Sequence, residues 1–252
     1  MKLFNKFRII LAAAFVLALS FQTFAQEKPD EVLYLDLSRY KPELILPPAP
    51  KEDSLERQME IQTIKNSIAK LDQRQKDLAV RDAKVLSVSI FADVIPGFDI
   101  EKLPVTKALF DKVNYNRTQA KDLAKDYFTI KRPYQTDASI TPCQEPVKTD
   151  LNRTYPSGHT TFGYAAAVVL ANLIPEKANV IMDRARLYGN NRIFCGAHYP
   201  SDVAAGEVIG VMVGNDLVHN KKFKTLMKKA KEELAQAGLT SALANKKEPK
   251  KE

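Results

Sequence analysis

Three well-separated stretches carry residues whose types and spacing could do chemistry. In YPSGHTTFGYAAAVVL, Tyr155 to Leu170, a Pro-Ser-Gly-His sequence runs straight into a long apolar segment. A helix starting there exposes backbone N–H groups without intrahelical acceptors, at the positive end of its dipole. Ser157 adds a hydroxyl, Gly158 lets an anion approach the backbone closely, and Pro156 is tolerated because the first turn needs no N–H from it. Together these make a cradle for a phosphate-sized anion, with His159 beside it as a proton donor. In NNRIFCGAHYPSDV, Arg192 precedes His198 by six residues and Asp202 follows it by four. Asp202, in the first turn of a helix, can accept from one imidazole nitrogen of His198 and leave the other unprotonated and nucleophilic. In KDYFTIKRPY, Lys125 and Arg132 are seven residues apart, two helical turns, so both can lie on one face. Arg offers phosphate a bidentate fork and Lys a point charge, while Lys131 points elsewhere on the same helix.

Each stretch taken alone has a plainer reading. Ser-Gly before a helix is usually a cap, and a lone His is more often a satisfied polar residue. His198 and Asp202 could be a surface pair or two metal ligands, and Lys125 and Arg132 two solvated bases. With only three histidines, and His219 in a basic HNKKFK stretch, the composition argues against a His-rich metal cluster.

The elements that must position these residues read as helices. Leu55 to about Val85 lacks Pro and Gly and repeats Ile61, Ile64, Ile68, Leu71 and Leu78 at amphipathic spacing. Further helices are expected over 104–109, 110–130, 160–174 stopped by Pro175, 176–188 stopped by Gly189, 202–219 and 221–236. Pro96-Gly97 marks a turn, and Pro133 to Pro156 a loop. No strand alternation or repeat is evident, so the fold class is all-α, a single domain over 54–238. Residues 26–53 read as an extended, proline-rich N-terminal arm lying over the domain, and 239–252 as a disordered basic tail.

Residues 1–25 read as a signal peptide, with Lys2, Lys6 and Arg8 ahead of an apolar run and Thr23-Phe24-Ala25 as the cleavage site. No later segment is apolar for long enough to span a bilayer, so a periplasmic or secreted protein is expected, not an integral membrane protein. The formal charge of +8 is carried by the two ends: three cations precede residue 25, and Lys221 to Glu252 holds ten Lys against four Glu. The rest is close to neutral, and no nucleic-acid partner is expected. In an exported chain, Cys143 and Cys195 could form a disulfide closing a loop of about 50 residues, worth ~4 kcal/mol on the chain-entropy model. Asn116-Arg-Thr and Asn152-Arg-Thr match the glycosylation sequon, a triplet common by chance.

Lys-x6-Arg-Pro, Pro-Ser-Gly-His and Arg-x5-His-x3-Asp, in that order, resemble the phosphatidic acid phosphatase type 2 superfamily at ten typed positions. Within it, YLDLSRYKPELILPPAP, TYPSGHT and RIFCGAHYPSDV look like the class A bacterial non-specific acid phosphatases. The resemblance implies a compact helical bundle of the acid phosphatase and vanadium haloperoxidase type, acting on small phosphate monoesters without metal or cofactor, and a possible homo-oligomer. It implies that Lys125, Arg132 and Arg192 hold the phosphoryl oxygens, with Ser157 and Gly158 completing the cradle. His198 would attack phosphorus and become a phosphohistidine, Asp202 would orient it, and His159 would protonate the leaving alcohol. The cysteine match strengthens the Cys143–Cys195 bridge, tying the loop after Pro133 to the Arg192 loop. Asn191 stands where the family usually has Ser, implying altered support for Arg192 with activity retained. The alternatives are a vanadate-dependent haloperoxidase, a soluble lipid-phosphate phosphatase, and a non-catalytic helical protein that binds phosphate or a partner.

Overall fold

The computed structural model describes residues 31–146 and 151–241, and among these there is no strand. The proposed signal peptide and most of the basic tail lie outside them. Over its described residues the arm holds a turn of 3-10 helix at Leu37–Arg39 and a short α-helix, α1 (Pro42–Ile45), and is otherwise turns and extended chain. It is fastened to the domain by buried Leu35, Tyr40 and Leu46. Asn116 reinforces this: its Oδ1 accepts from Tyr34 N at 2.7 Å and its Nδ2 donates to Val32 O at 3.0 Å. A buried amide so engaged is a structural clamp, which removes the first sequon from consideration.

The expected helix from 55 to 85 is two helices, α2 (Leu55–Lys70) and α3 (Gln73–Lys84). The break is a reciprocal cap. Gln75 N donates to Asp72 Oδ1 at 2.8 Å and Asp72 N donates to Gln75 Oε1 at 3.0 Å. That pairing offers the backbone an alternative to the helical ladder, and the amphipathic spacing hid it. It also turns α3 so that Ala79, Asp82 and Ala83 are buried.

Conversely, the two short helices expected over 104–130 are one, α4 (Pro104–Phe128), ended by Thr129 in the left-handed conformation at φ 45°. Four-residue α5 (Pro133–Thr136) follows. Then come α6 (Gly158–Leu173), α7 (Ala178–Phe194), α8 (Pro200–His219) and α9 (Lys221–Gln236). α6 is apolar on nearly every side and is the central helix, packed by α4, α7 and α8. Gly189 does not stop α7; it lies inside, where an added Cβ would meet Thr160 Cγ2 at 3.0 Å, so it serves close helix crossing. The turn that ends α7 uses Gly196 at φ 65°.

The α6–α8 seam fixes the relative placement of two of the motifs. Gly206, Gly210 and Gly214 recur every four residues, and a Cβ on them would sit 2.8 Å from Ser157 O, 2.7 Å from Thr161 O and 2.6 Å from Val168 Cβ. Without side chains at these positions the two backbones touch. At the end of the seam Ser157 N donates to Asp202 O at 2.9 Å. After α9, Leu239 and Thr240 are buried, so the folded chain passes the expected boundary at 238.

Candidate active site

Lys125 and Arg132 do not share a helix face, because α4 ends between them. Lys125 is buried in its last turn, and Arg132 is the residue before α5. The chain reversal at Thr129 still brings both to one place. Lys125 Nζ donates to the Arg153 carbonyl, while Arg132 Nη1 donates to Ala197 O at 2.9 Å and reaches His198 Nε2 at 3.1 Å. Lys131, by contrast, is exposed and pairs with Glu52.

His198 lies in the loop before α8 and is 2 % exposed. Its backbone is held by Arg192, whose carbonyl accepts from Ala197 N and His198 N. Asp202 is in the first turn of α8, where its Oδ2 accepts from Tyr199 N at 2.8 Å and lies 3.1 Å from His198 Nδ1. Arg132 can only donate, so His198 Nε2 must accept and carry no hydrogen. The proton is therefore on Nδ1, directed at Asp202. Burial, then Arg132, Arg192 and Lys125, hold the imidazole well below the usual histidine range, so it is neutral. Burial pushes the Asp202 carboxyl up, opposed by bonds from Thr154 and Tyr199 N and by the charge of Lys125. This pair is a neutral imidazole with an oriented, lone-pair-bearing Nε2 facing a guanidinium.

His159 follows Gly158 in the first turn of α6 and is partly exposed. Its Nε2 is 3.2 Å from the Ala83 carbonyl of α3 and, facing an acceptor, carries the hydrogen. Burial, then Arg192 and Arg117, hold it well below the usual range, with Arg132 adding to them. Two guanidiniums, Arg132 and Arg192, thus act on both imidazoles, and the charge of His159 bears on His198. Arg132 against His198 joins the first motif to the third, and Ser157 N on Asp202 O joins the second to the third. Ser157 is fully buried at the N-cap, its Oγ accepting from Thr160 Oγ1 at 2.9 Å; the N–H groups of Gly158 and His159 lie just beyond. Pro156 sits ahead of the cap, after a cis Tyr155–Pro156 bond.

Cys143 and Cys195 form a disulfide, and Cys143 N donates to Cys195 O at 2.9 Å. The bridge pins the loop after α5 to the end of α7, three residues from Arg192. Asn191 donates to buried Asp82 Oδ2 at 2.7 Å, and Asp82 is also held by the two terminal guanidinium nitrogens of Arg184, at 2.9 and 2.7 Å. The Asn191 amide thereby ties α7, beside Arg192, to α3, beside the carbonyl that meets His159.

Two participants escaped the motif reading. Arg117, two turns before Lys125, is buried with no ion-paired carboxylate among the described residues: it donates to Gly158 O at 3.2 Å and to Asn114 Oδ1. Burial lowers it to about 10. The other is Thr154, fully buried against His198 and Asp202. In the sequence it is the hydroxyl residue of the triplet Asn152-Arg-Thr and the first residue of TYPSGHT; its burial and its partners set it against the histidine–carboxylate pair.

The fold and site define a helical protein with a histidine–carboxylate pair and a second histidine around a cationic anion cradle. The chain belongs to the PAP2 superfamily, whose model matches residues 116–225. It is 34 % identical over 205 residues to an acid phosphatase of Zymomonas mobilis subsp. mobilis, covering 78 % of this chain and 76 % of that one. A non-specific acid phosphatase of Salmonella typhimurium is 32 % identical over 161 residues, 63 % of each chain. One from Providencia stuartii is 29 % identical over 216 residues, 82 % of this chain and 86 % of its own. A solved structure of a transmembrane PAP2 type phosphatidylglycerolphosphate phosphatase from Bacillus subtilis shares the fold. Its TM-score is 0.51 at 14 % identity, over 70 % of this chain and 89 % of that one. Among the described residues, no helix is long and apolar enough to cross a membrane.

Proposed function

We propose that this chain is an acid phosphatase, a phosphoric monoester hydrolase that works through a phosphohistidine at His198. The observation that carries the reading is the state of that ring: Nδ1–H on Asp202, Nε2 bare, and the Arg132 guanidinium 3.1 Å from it. A donor there marks where phosphoryl oxygens sit when substrate takes its place.

In the first step the Nε2 lone pair attacks phosphorus and the bond to the leaving oxygen breaks. Protonated His159 carries two N–H groups; Nε2–H stays on Ala83 O, and Nδ1–H passes to the leaving alcohol. Asp202 stabilises the positive ring of the phosphohistidine. In the second step His159 takes a proton from water, the water oxygen bonds to phosphorus and the P–N bond breaks. Lys125, Arg132, Arg192 and the start of α6 stabilise charge on the equatorial oxygens. The positive charge is supplied by side chains, and the reading includes independence of added metal.

Export to the periplasm or beyond belongs to the same proposal, supported by the disulfide, which suits an oxidising compartment. Hydrolysis of a chromogenic phosphate monoester at acid pH, with and without a strong chelator, tests the activity. Turnover that survives the chelator and is inhibited by vanadate is expected. Loss in chelator, or turnover unaffected by His198→Ala, contradicts it.

A further inference from the structure

We propose that Thr154 is a positioning residue for the nucleophile, its hydroxyl and Asp202 together forming a buried two-point seat for His198 Nδ1–H. The inference rests on the phosphohistidine reading above. Thr154 Oγ1 lies 3.0 Å from His198 Nδ1 and donates to Asp202 Oδ2. A hydroxyl has one hydrogen. With that hydrogen on Asp202, Thr154 meets His198 as an acceptor, and the Nδ1–H is shared between two oxygens, at 3.0 and 3.1 Å.

The seat is asymmetric. Asp202 Oδ2 accepts from Thr154, Tyr199 N and His198, whereas Oδ1 is buried without a hydrogen-bond partner among the described residues. A fully buried carboxylate bonded through one oxygen depends on each donor to stay ionised. The groups facing it are His198 from its own loop, Lys125 from α4, Arg57 from α2, and the phenols of Tyr155 and Tyr199. Thr154 supplies a hydrogen-bond donor directly to Oδ2.

Its backbone explains how it reaches this place. Thr154 N donates to Ile130 O at 3.1 Å, the preceding carbonyl holds Lys125, and three residues on Ser157 N binds Asp202 O. One short segment thus ties a phosphate-binding lysine, the nucleophile's seat and the start of α6.

The test uses the full chain, with Thr154→Val removing the hydroxyl at near-constant shape and Thr154→Ser restoring it. Phosphoenzyme formation is followed by acid-free rapid quench with a chromogenic monoester, alongside kcat and KM across pH and the melting temperature. Thr154→Val should slow formation by about 10- to 100-fold with KM little changed. Losing a donor raises the proton affinity of Asp202, so the acid limb of kcat should move to higher pH. Thr154→Ser should restore rate and limb. If Thr154→Val melts like the parent and keeps both, the inference is wrong and the phosphohistidine reading stands. If Thr154→Val unfolds, Thr154→Ser decides: a rate and acid limb like the parent's support the seat, and a folded Ser variant that stays slow overturns it. If the parent itself forms no phosphoenzyme, the reading fails and takes the seat with it.

Discussion

The two histidines sit in opposite settings. His198 is sealed, 2 % exposed, with a ring nitrogen bonded on each side. His159 is partly exposed and held by one bond, to a backbone carbonyl of a different helix. Both lie well below the usual histidine range, but by different neighbours: Arg132 leads among the charges on His198, and Arg192 then Arg117 on His159. A nucleophile needs a fixed lone pair and never has to exchange protons with solvent. An acid–base group must be protonated in one step and bare in the next, which requires access and a field that changes when the phosphate arrives. The contrast between a sealed ring and a partly exposed one fits the division of labour proposed above.

The hardest break in the comparison is to remove each ring in turn. His198→Ala should lower kcat by at least about 10⁴-fold for every ester, since no other group has its position. His159→Ala should cost about 10²- to 10⁴-fold with an alkyl phosphate and far less with p-nitrophenyl phosphate, whose leaving group needs no proton. A kcat series over leaving-group pKa checks this; equal losses on both substrates would erase the assigned difference.

Next is the seam that joins the two settings. Gly210→Ala forces a Cβ against the Thr161 carbonyl, a backbone atom that cannot swing away. A stability loss of about 1–3 kcal/mol is expected by denaturant unfolding, with activity falling in the surviving fold as Ser157 parts from Asp202.

Smaller effects come from pH. A dianionic phosphate beside Arg192, Arg117 and Arg132 offsets the charges that hold His159 down. The alkaline limb of kcat should therefore lie at higher pH than that of kcat/KM, because the first reports the bound state. Coincident limbs would mean that the field on His159 does not respond to substrate. Stability has a matching sign. Both histidines have folded values below the unfolded value of about 6.5, so below that pH the unfolded chain binds more protons. The substrate-free protein should lose stability as pH falls through that window, and inorganic phosphate should restore part of it; thermal melts across pH check this.

The candidate site was largely legible in the sequence because it is built from side chains of distinctive type at short spacings. Arg192, His198 and Asp202 lie within eleven residues and need one loop and one helical turn to meet. Ser157, Gly158 and His159 are consecutive at a helix start that the apolar run announced. What was missed has a different physical origin. The group that orients His159 is the Ala83 carbonyl, and a backbone atom has no residue signature. Thr154 is an ordinary hydroxyl residue until the fold seals it against Asp202. Lys125 and Arg132 are expected on one helix face and instead come to the same region through a reversal at Thr129, which has no glycine to announce it. In the fold, apolar spacing located the helices, but local capping at Asp72 divided one of them, and close packing at Gly189 carried α7 past its expected end. The glycines of α8, spaced by four, were a readable signal for the α6–α8 contact.

The most direct test is to trap the phosphoenzyme from a chromogenic monoester under alkaline quench, digest it, and locate the phosphate by mass spectrometry. The account predicts an acid-labile phosphate on the peptide carrying His198, present in His159→Ala and absent in His198→Ala. Phosphate on His159, or rapid turnover with no labelled histidine, would contradict it.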